Sequence, residues 1–244
     1  AISGYLNFYL NIPQIARILF DSVKQLRDEY GKVPVEKPQR IVVEHTSANP
    51  IHPLHIGHAR NSIIGDTLYR LLSFRGHKVQ RRFYVNDMGR QVAILAYGYR
   101  ELGKPEPKGK PDHYMGLIYA ITNTIIELDE VKREIEKVKG SNNADELMRL
   151  QRKLDELISI AAELRSKDEK LFDEIHSKLT GKNHEVEISK IMYEYEHRTN
   201  IETVNIIREV VNYVLEGFRE TLHRVDIEFD VWDWESDITW SSLV

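Results

Sequence analysis

Hydrophobic and polar positions alternate along parts of the chain and recur at helical spacing along others. In Gly4-Tyr5-Leu6-Asn7-Phe8-Tyr9-Leu10, Leu6, Phe8 and Leu10 share one side, the pattern of a half-buried strand whose sheet lies elsewhere. Asn11 is placed to cap a helix with Pro13 in its first turn. Ile15, Ile18, Leu19, Val23 and Leu26 form its apolar face, and Gly31 ends it. Residues 32–39 carry two prolines and read as a linker. Ile41-Val42-Val43 is a short apolar run suited to a buried parallel strand. A helix follows from Ala59 to Phe74, with Ile63, Ile64, Leu68, Leu71 and Leu72 inward. A second strand over Lys78–Val85 leads to a second helix over Gly89–Leu102. Strand, helix, strand, helix in this order predicts a parallel sheet with right-handed crossovers.

The pattern then changes. From Asp112 to about Leu179 long charged helices flank the turn Gly140-Ser141-Asn142-Asn143. Leu147, Leu150, Leu154, Leu157, Ala161, Leu164, Leu171 and Ile175 follow alternating steps of three and four, interrupted where Asp168 takes the expected apolar position. An antiparallel helical hairpin accounts for this most simply, a coiled-coil arm being the sharper alternative. A further helix is expected over Ile201–His223 and a strand over Asp226–Trp232. The expected organisation is therefore the tail of another domain and a linker (1–39), the first half of a nucleotide-binding domain (40–104), a helical connective insertion (105–225) and a truncated return strand (226–244).

Composition narrows the chemistry. With 0 Cys in 244 residues, disulfides, cysteine-held zinc and thiol catalysis are excluded. A net charge of −4 excludes a uniformly basic nucleic-acid coat but leaves room for a local patch. No apolar run reaches the roughly 20 residues of a membrane-crossing helix.

The informative segment lies between the first strand and the first crossover helix, Glu44-His45-Thr46-Ser47-Ala48-Asn49-Pro50-Ile51-His52-Pro53-Leu54-His55-Ile56-Gly57-His58. At a helix mouth, free backbone N–H groups and the helix dipole favour anions. Two histidines able to donate to phosphate oxygens flank a glycine that lets a flat ligand approach the backbone. Using His52, His55 and His58 as metal ligands is a rival reading; Pro53 breaks the helix that spacing would need, and no acidic companion motif is present. His45 reads as a satisfied, partly buried histidine. Asp87, Gly89 and Gln91 read either as site residues or as shapers of the turn into the second helix. Arg81 and Arg82 read as surface charge, and Trp232, Trp234 and Trp240 as core or interface residues separated from their partners.

His55-Ile56-Gly57-His58 resembles the signature of class I aminoacyl-tRNA synthetases and related nucleotidyltransferases. Val43–Pro50, Pro53–Asn61, Ile64-Gly65-Asp66 and Asn86–Gln91 are together similar to the arginyl-tRNA synthetase family, of archaeal type. The resemblance is strong over residues 40–102. It implies an α/β, parallel-sheet, Rossmann-like nucleotide-binding half-domain with a large helical insertion. By the same resemblance His55 and His58 are catalytic, and they bind ATP together with Gly57 and His52. Glu44 faces the arginine guanidinium, Ser47 and Asn49 hold its ammonium and carboxylate, and Gln91 joins the substrate site. No protein-held metal is implied, magnesium arriving with ATP. Arginine, ATP and tRNA(Arg) are the implied substrates, in a cytoplasmic ligase; the sequence leaves the oligomeric state open, a monomer being the favoured expectation. His52 stands where many family members carry lysine, and no Lys-Met-Ser-Lys-Ser-like segment occurs in these residues. The chain alone is accordingly expected to be inactive. A free-standing nucleotidyltransferase and a non-catalytic module binding tRNA or a partner protein are the alternatives.

Overall fold

The computed structural model describes residues 4, 6, 8–139 and 143–241. Three parallel strands form one sheet in the order β1-β2-β3: β1 is Arg40–Glu44, β2 Lys78–Val85 and β3 Val231–Trp234. Ile41 lies opposite Val79, and Phe83 opposite Trp232. The central strand buries Phe83 and Val85 completely. Because all three strands run the same way, the segments following Glu44, Val85 and Trp234 gather at one edge, where an α/β sheet binds its ligands. The expected α/β nucleotide-binding class is the one found.

β3 starts five residues later than the sequence predicts. Asp226 has a positive φ of 57°, which a continuing strand does not allow. Side chains hold the stretch instead. Arg70 donates to the carbonyl and carboxylate of Asp226, and the Asp230 carboxylate accepts from the Arg81 backbone N–H and guanidinium. Arg81 and Arg82 are thus paired across the sheet, Arg82 with Asp233. The tryptophans also find partners within the chain: Trp232 stacks on Phe83 at 4.4 Å, and Arg208 lies over both Trp234 and Trp240.

The strand expected at the start is not formed by the described residues there. Leu6, Phe8, Tyr9 and Leu10 are exposed, and positions 5 and 7 lie outside the described residues. Helix α1 (Ile12–Leu26) has the predicted Asn11 cap, which accepts from the Gln14 N–H at 3.2 Å. Its expected apolar face is present but uncovered: Ile15, Ile18, Leu19, Val23 and Leu26 are all exposed. Periodicity encodes a face, not the surface that will cover it.

Helix α2 (Ile56–Phe74) is the crossover between β1 and β2 and begins three residues before the expected Ala59. It buries Ser62, Gly65 and Asp66, while Ile63, Ile64, Leu68 and Leu71 stay exposed, the reverse of the expected orientation. Gly65 decides this. A Cβ there would sit 2.1 Å from Cγ of His45, so only the small-residue face can lie this close to the end of β1.

The chain between β2 and β3 is helical. α3 (Arg90–Glu101) is buried from Val92 through Tyr99 and lies against α4 (Pro111–Val138), α7 (His184–Glu196) and α8 (Ile201–His223). α4 and α5 (Ala144–Lys167) form the predicted hairpin, sealed by Val131, Ile135, Leu150 and Leu157. Three residues of the turn between them, 140–142, lie outside the described residues. Asp168 interrupts the apolar spacing because it caps α6 (Glu169–Leu179), accepting from the Leu171 N–H at 3.0 Å. α7 and the short α9 (Glu235–Trp240) have no counterpart in the sequence reading. No helix among the described residues is long and apolar enough to cross a membrane.

Candidate functional site

The loop from Glu44 to His55 joins the end of β1 to the start of α2, and two histidines build the helix mouth. The Gly57 N–H donates to Nδ1 of His55 at 3.1 Å, and the His55 N–H donates to Nδ1 of His58 at 3.2 Å. This is a reciprocal capping box made by imidazoles. Its electrostatic consequence is specific. A neutral imidazole whose Nδ1 accepts must carry its proton on Nε2, so both rings present an Nε2–H donor at a helix N-terminus. The rings lie 3.8 Å apart by centroid. His58 is held neutral, its pKa falling below the ordinary 6.5 through burial first and then through the neighbouring His55 and His52.

His52 is brought beside them, its ring 5.8 Å from His55 and 5.9 Å from His58, but its chemistry differs. Its Nδ1 lies 2.9 Å from the Pro53 carbonyl, which only accepts, so neutral His52 carries its proton on Nδ1 and leaves Nε2 a bare acceptor. Gly57 gives the His55 ring its room, since a Cβ would come within 2.9 Å of Cε1. Gly116 of α4 does the same for the loop: a Cβ there would meet Pro53 Cδ at 2.8 Å and His52 Cα at 3.2 Å.

On the other side of the loop, Glu44, Asn49 and Gln91 are exposed and Ser47 is half-buried. The Ser47 hydroxyl donates to the Glu44 carboxylate and accepts from the Tyr84 N–H at 3.0 Å, so it binds the loop to the end of β2. Asn49 and Gln91 meet directly, the Asn49 amide donating to Gln91 Oε1 at 3.0 Å. Sequence placed these two residues 42 positions apart, and the parallel β1–β2 pairing brings them together. Among the described residues no three His, Asp or Glu side chains converge in a metal-binding geometry.

Behind this edge lies a buried network that sequence reasoning left largely unread. The Asp87 carboxylate has no exposed surface. It accepts from the Ser236 N–H at 3.0 Å, the Ser236 hydroxyl at 2.5 Å and the Tyr195 hydroxyl. Arg208 donates to Ser236 Oγ at 2.7 Å. Burial, and then Asp87 itself, push the Tyr195 hydroxyl well above its ordinary pKa, so it stays a donor. Asn86, with its amide oriented to satisfy its hydrogen bonds, donates to Glu235 at 2.8 Å. The network joins the turn after β2 to α7, α8 and the start of α9. The sequence signal for it was Asp87 within the Asn86–Gln91 motif that follows β2.

Compared with known proteins, residues 19–222 match the family model of class I tRNA synthetases (R), catalytic domain. The chain is 48% identical over 242 residues to an arginine–tRNA ligase of Sulfolobus acidocaldarius and 49% identical over 243 residues to one of Saccharolobus solfataricus. Each alignment covers 98% of this chain and 38% of the relative. Among solved structures, Thermus thermophilus arginyl-tRNA synthetase superposes with a TM-score of 0.52 at 26% identity, over 97% of this chain and 29% of that one. The chain thus spans well under half the length of the relatives it matches.

Proposed function

The chain belongs to the class I tRNA synthetase (R) catalytic-domain family, and from that premise we propose that the protein carrying it is an arginine–tRNA ligase. The reaction is attack of the arginine carboxylate on the α-phosphorus of ATP, with pyrophosphate leaving, followed by transfer of the arginyl group to tRNA(Arg) in the cytoplasm. The observation that carries this reading is the pair of Nε2–H donors of His55 and His58, fixed by the capping box at the mouth of α2. Two preset donors beside a helix N-terminus fit the phosphate oxygens, on which charge moves as the α-phosphorus is attacked. They need no reorientation when that happens. Gly57 leaves the backbone open to the nucleotide. Magnesium accompanies the triphosphate, since the histidine cluster offers no carboxylates to hold it.

Glu44 is the carboxylate for the guanidinium, a bidentate match of fork to fork. Ser47 holds Glu44 in place, and the Asn49–Gln91 pair opens to receive the amino acid's polar end. The bare Nε2 of neutral His52 cannot donate to phosphate. His52 therefore stands behind the other two rings at the ATP end of the site. Residues 105–225 supply the wall that seats this loop, through Gly116.

Arginine-dependent exchange of pyrophosphate into ATP, measured in the full-length ligase, tests the reading. His58→Ala is expected to lower kcat by roughly 10²–10³-fold with the fold intact; full activity in that variant overturns the role. The 244-residue chain by itself is expected to show no measurable exchange. Mutants of groups that act as a unit lose activity severely and non-additively, and this chain spans only 38% of its relatives.

A further inference from the structure

The two sides of the site, Glu44 and Ser47 at the end of β1 and the histidines at the start of α2, belong to one loop with an unusual backbone. Thr46 and Ser47 both have positive φ, 68° and 40°. A β-branched residue there is a true outlier that persists only when its surroundings over-determine it. What over-determines it is a buried chain of hydrogen bonds with one possible direction. The Ser62 hydroxyl donates to the His58 carbonyl at 2.9 Å. That spends its only hydrogen, so across the 2.8 Å contact with Thr46 Oγ1 it is Thr46 that donates. The Thr46 oxygen then accepts from His45 Nδ1 at 3.0 Å, which therefore carries the proton.

The remaining observations agree. His45 Nε2 is buried without a hydrogen-bond partner, so it anchors nothing, and Nδ1 is the nitrogen through which the ring acts. The His45 ring cannot turn. It lies against Gly65, has Phe229 at 4.6 Å and sits on a backbone whose N–H donates to the Arg82 carbonyl at 3.2 Å. Asp66, the carboxylate beside it, gives Oδ2 to Arg70 at 2.5 Å, while its buried Oδ1 makes no hydrogen bond, to His45 or to any other group.

We propose that Thr46 is a positioning residue: its hydroxyl, oriented by the buried His45 imidazole, ties the strand-end loop holding Glu44 and Ser47 to the first turn of α2 bearing His55 and His58. It sets the separation between the amino acid's end of the site and the phosphate end. Its kinetic consequence rests on the ligase reading above, whereas the chain of hydrogen bonds does not.

The experiment has two arms. Nitrogen-15 NMR of the imidazoles, in this chain near neutral pH, is expected to show His45 protonated on Nδ1; a proton on Nε2 overturns the chain of hydrogen bonds whatever reaction the protein catalyses. In the full-length ligase, Thr46→Val keeps the branched side chain and removes only the hydroxyl, and Thr46→Ser keeps the hydroxyl. Thr46→Val is expected to lower kcat for pyrophosphate exchange by roughly 10²-fold, with KM for ATP and arginine changed far less, and Thr46→Ser to recover most of that loss. Equal kcat in the two variants, with the unsubstituted enzyme active, overturns the positioning role and leaves the ligase reading standing. An unsubstituted enzyme without arginine-dependent exchange overturns the ligase reading and the kinetic role together. Circular dichroism of Thr46→Val separates a folded, slow variant from an unfolded one.

Discussion

At the scale of the residue, His55 and His58 each give one nitrogen to the helix they open and keep the other as a donor. Gly57→Ala tests how tightly that is set. The added methyl meets the His55 ring at 2.9 Å, so the ring must leave its cap. The expected result is about 1 kcal/mol of lost stability from the cap and a larger fractional loss of pyrophosphate exchange, read by thermal melting and kinetics. A second test is pH. His58 and His45 both have pKa values pushed below 6.5, chiefly by burial. The unfolded chain therefore takes up protons near pH 6.5 that the folded chain refuses. The stability these two groups contribute is complete above that pH and is lost as pH falls through their folded values. Calorimetric melting from about pH 7.5 down to about pH 5 should show Tm falling, and His58→Asn should flatten the slope. Asp87→Ala belongs here too. It strands the Tyr195 and Ser236 donors in a buried site and is expected to cost roughly 3–5 kcal/mol by denaturant unfolding.

At the scale of the element, the mouth of α2 rests on helices far away in sequence. Gly116 lets α4 touch Pro53 and His52, and Asp87 pins the turn after β2 to Tyr195 of α7 and Ser236 of α9. Gly116→Val should therefore displace the His52–Pro53 loop and weaken nucleotide binding in the full-length ligase more than it weakens the fold, as calorimetric titration and melting would separate. The same elements show how far sequence reading reaches. β2 over Lys78–Val85 and α8 over Ile201–His223 have the limits their patterns predict, because each carries strong periodicity between clear stops. α7 escaped although its buried residues His184, Ile188, Ile191 and Tyr195 recur at helical spacing, because exposed Val186 and Tyr193 blur that stripe in the sequence. α2 was assigned its correct type and the wrong buried face. Its apolar residues outnumber its small ones, yet the glycine at 65 decides which side can meet β1.

At the scale of the whole molecule, α1 and α2 leave two apolar helix faces in water. Leu71 is 57% exposed, Ile63 56% and Ile18 58%. Faces of this kind mark surfaces that another protein segment covers. The chain in isolation should bind a hydrophobic fluorescent dye, and Ile63→Lys with Leu71→Lys should reduce that binding without lowering Tm. An unchanged signal would place the exposed surface elsewhere.

The sequence by itself determined the succession β1, α2, β2, α3 and later α8, and marked the loop after β1, for a physical reason: periodicity, caps and a run of histidines around a glycine act within a few residues. His52, His55, Gly57 and His58 stood out as candidates for that reason, whereas Glu44, Ser47, Asn49 and Gln91 became candidates only through the family resemblance. Tertiary structure alone decided which helix faces are buried, that Asn49 meets Gln91, that Asp87 is a buried hub, and that a hydroxyl chain runs from His45 through Thr46 and Ser62 to the His58 carbonyl. Those depend on close approach and on which hydrogen each donor has left to give. Both are properties of packed neighbours, and no local stretch of sequence carries them.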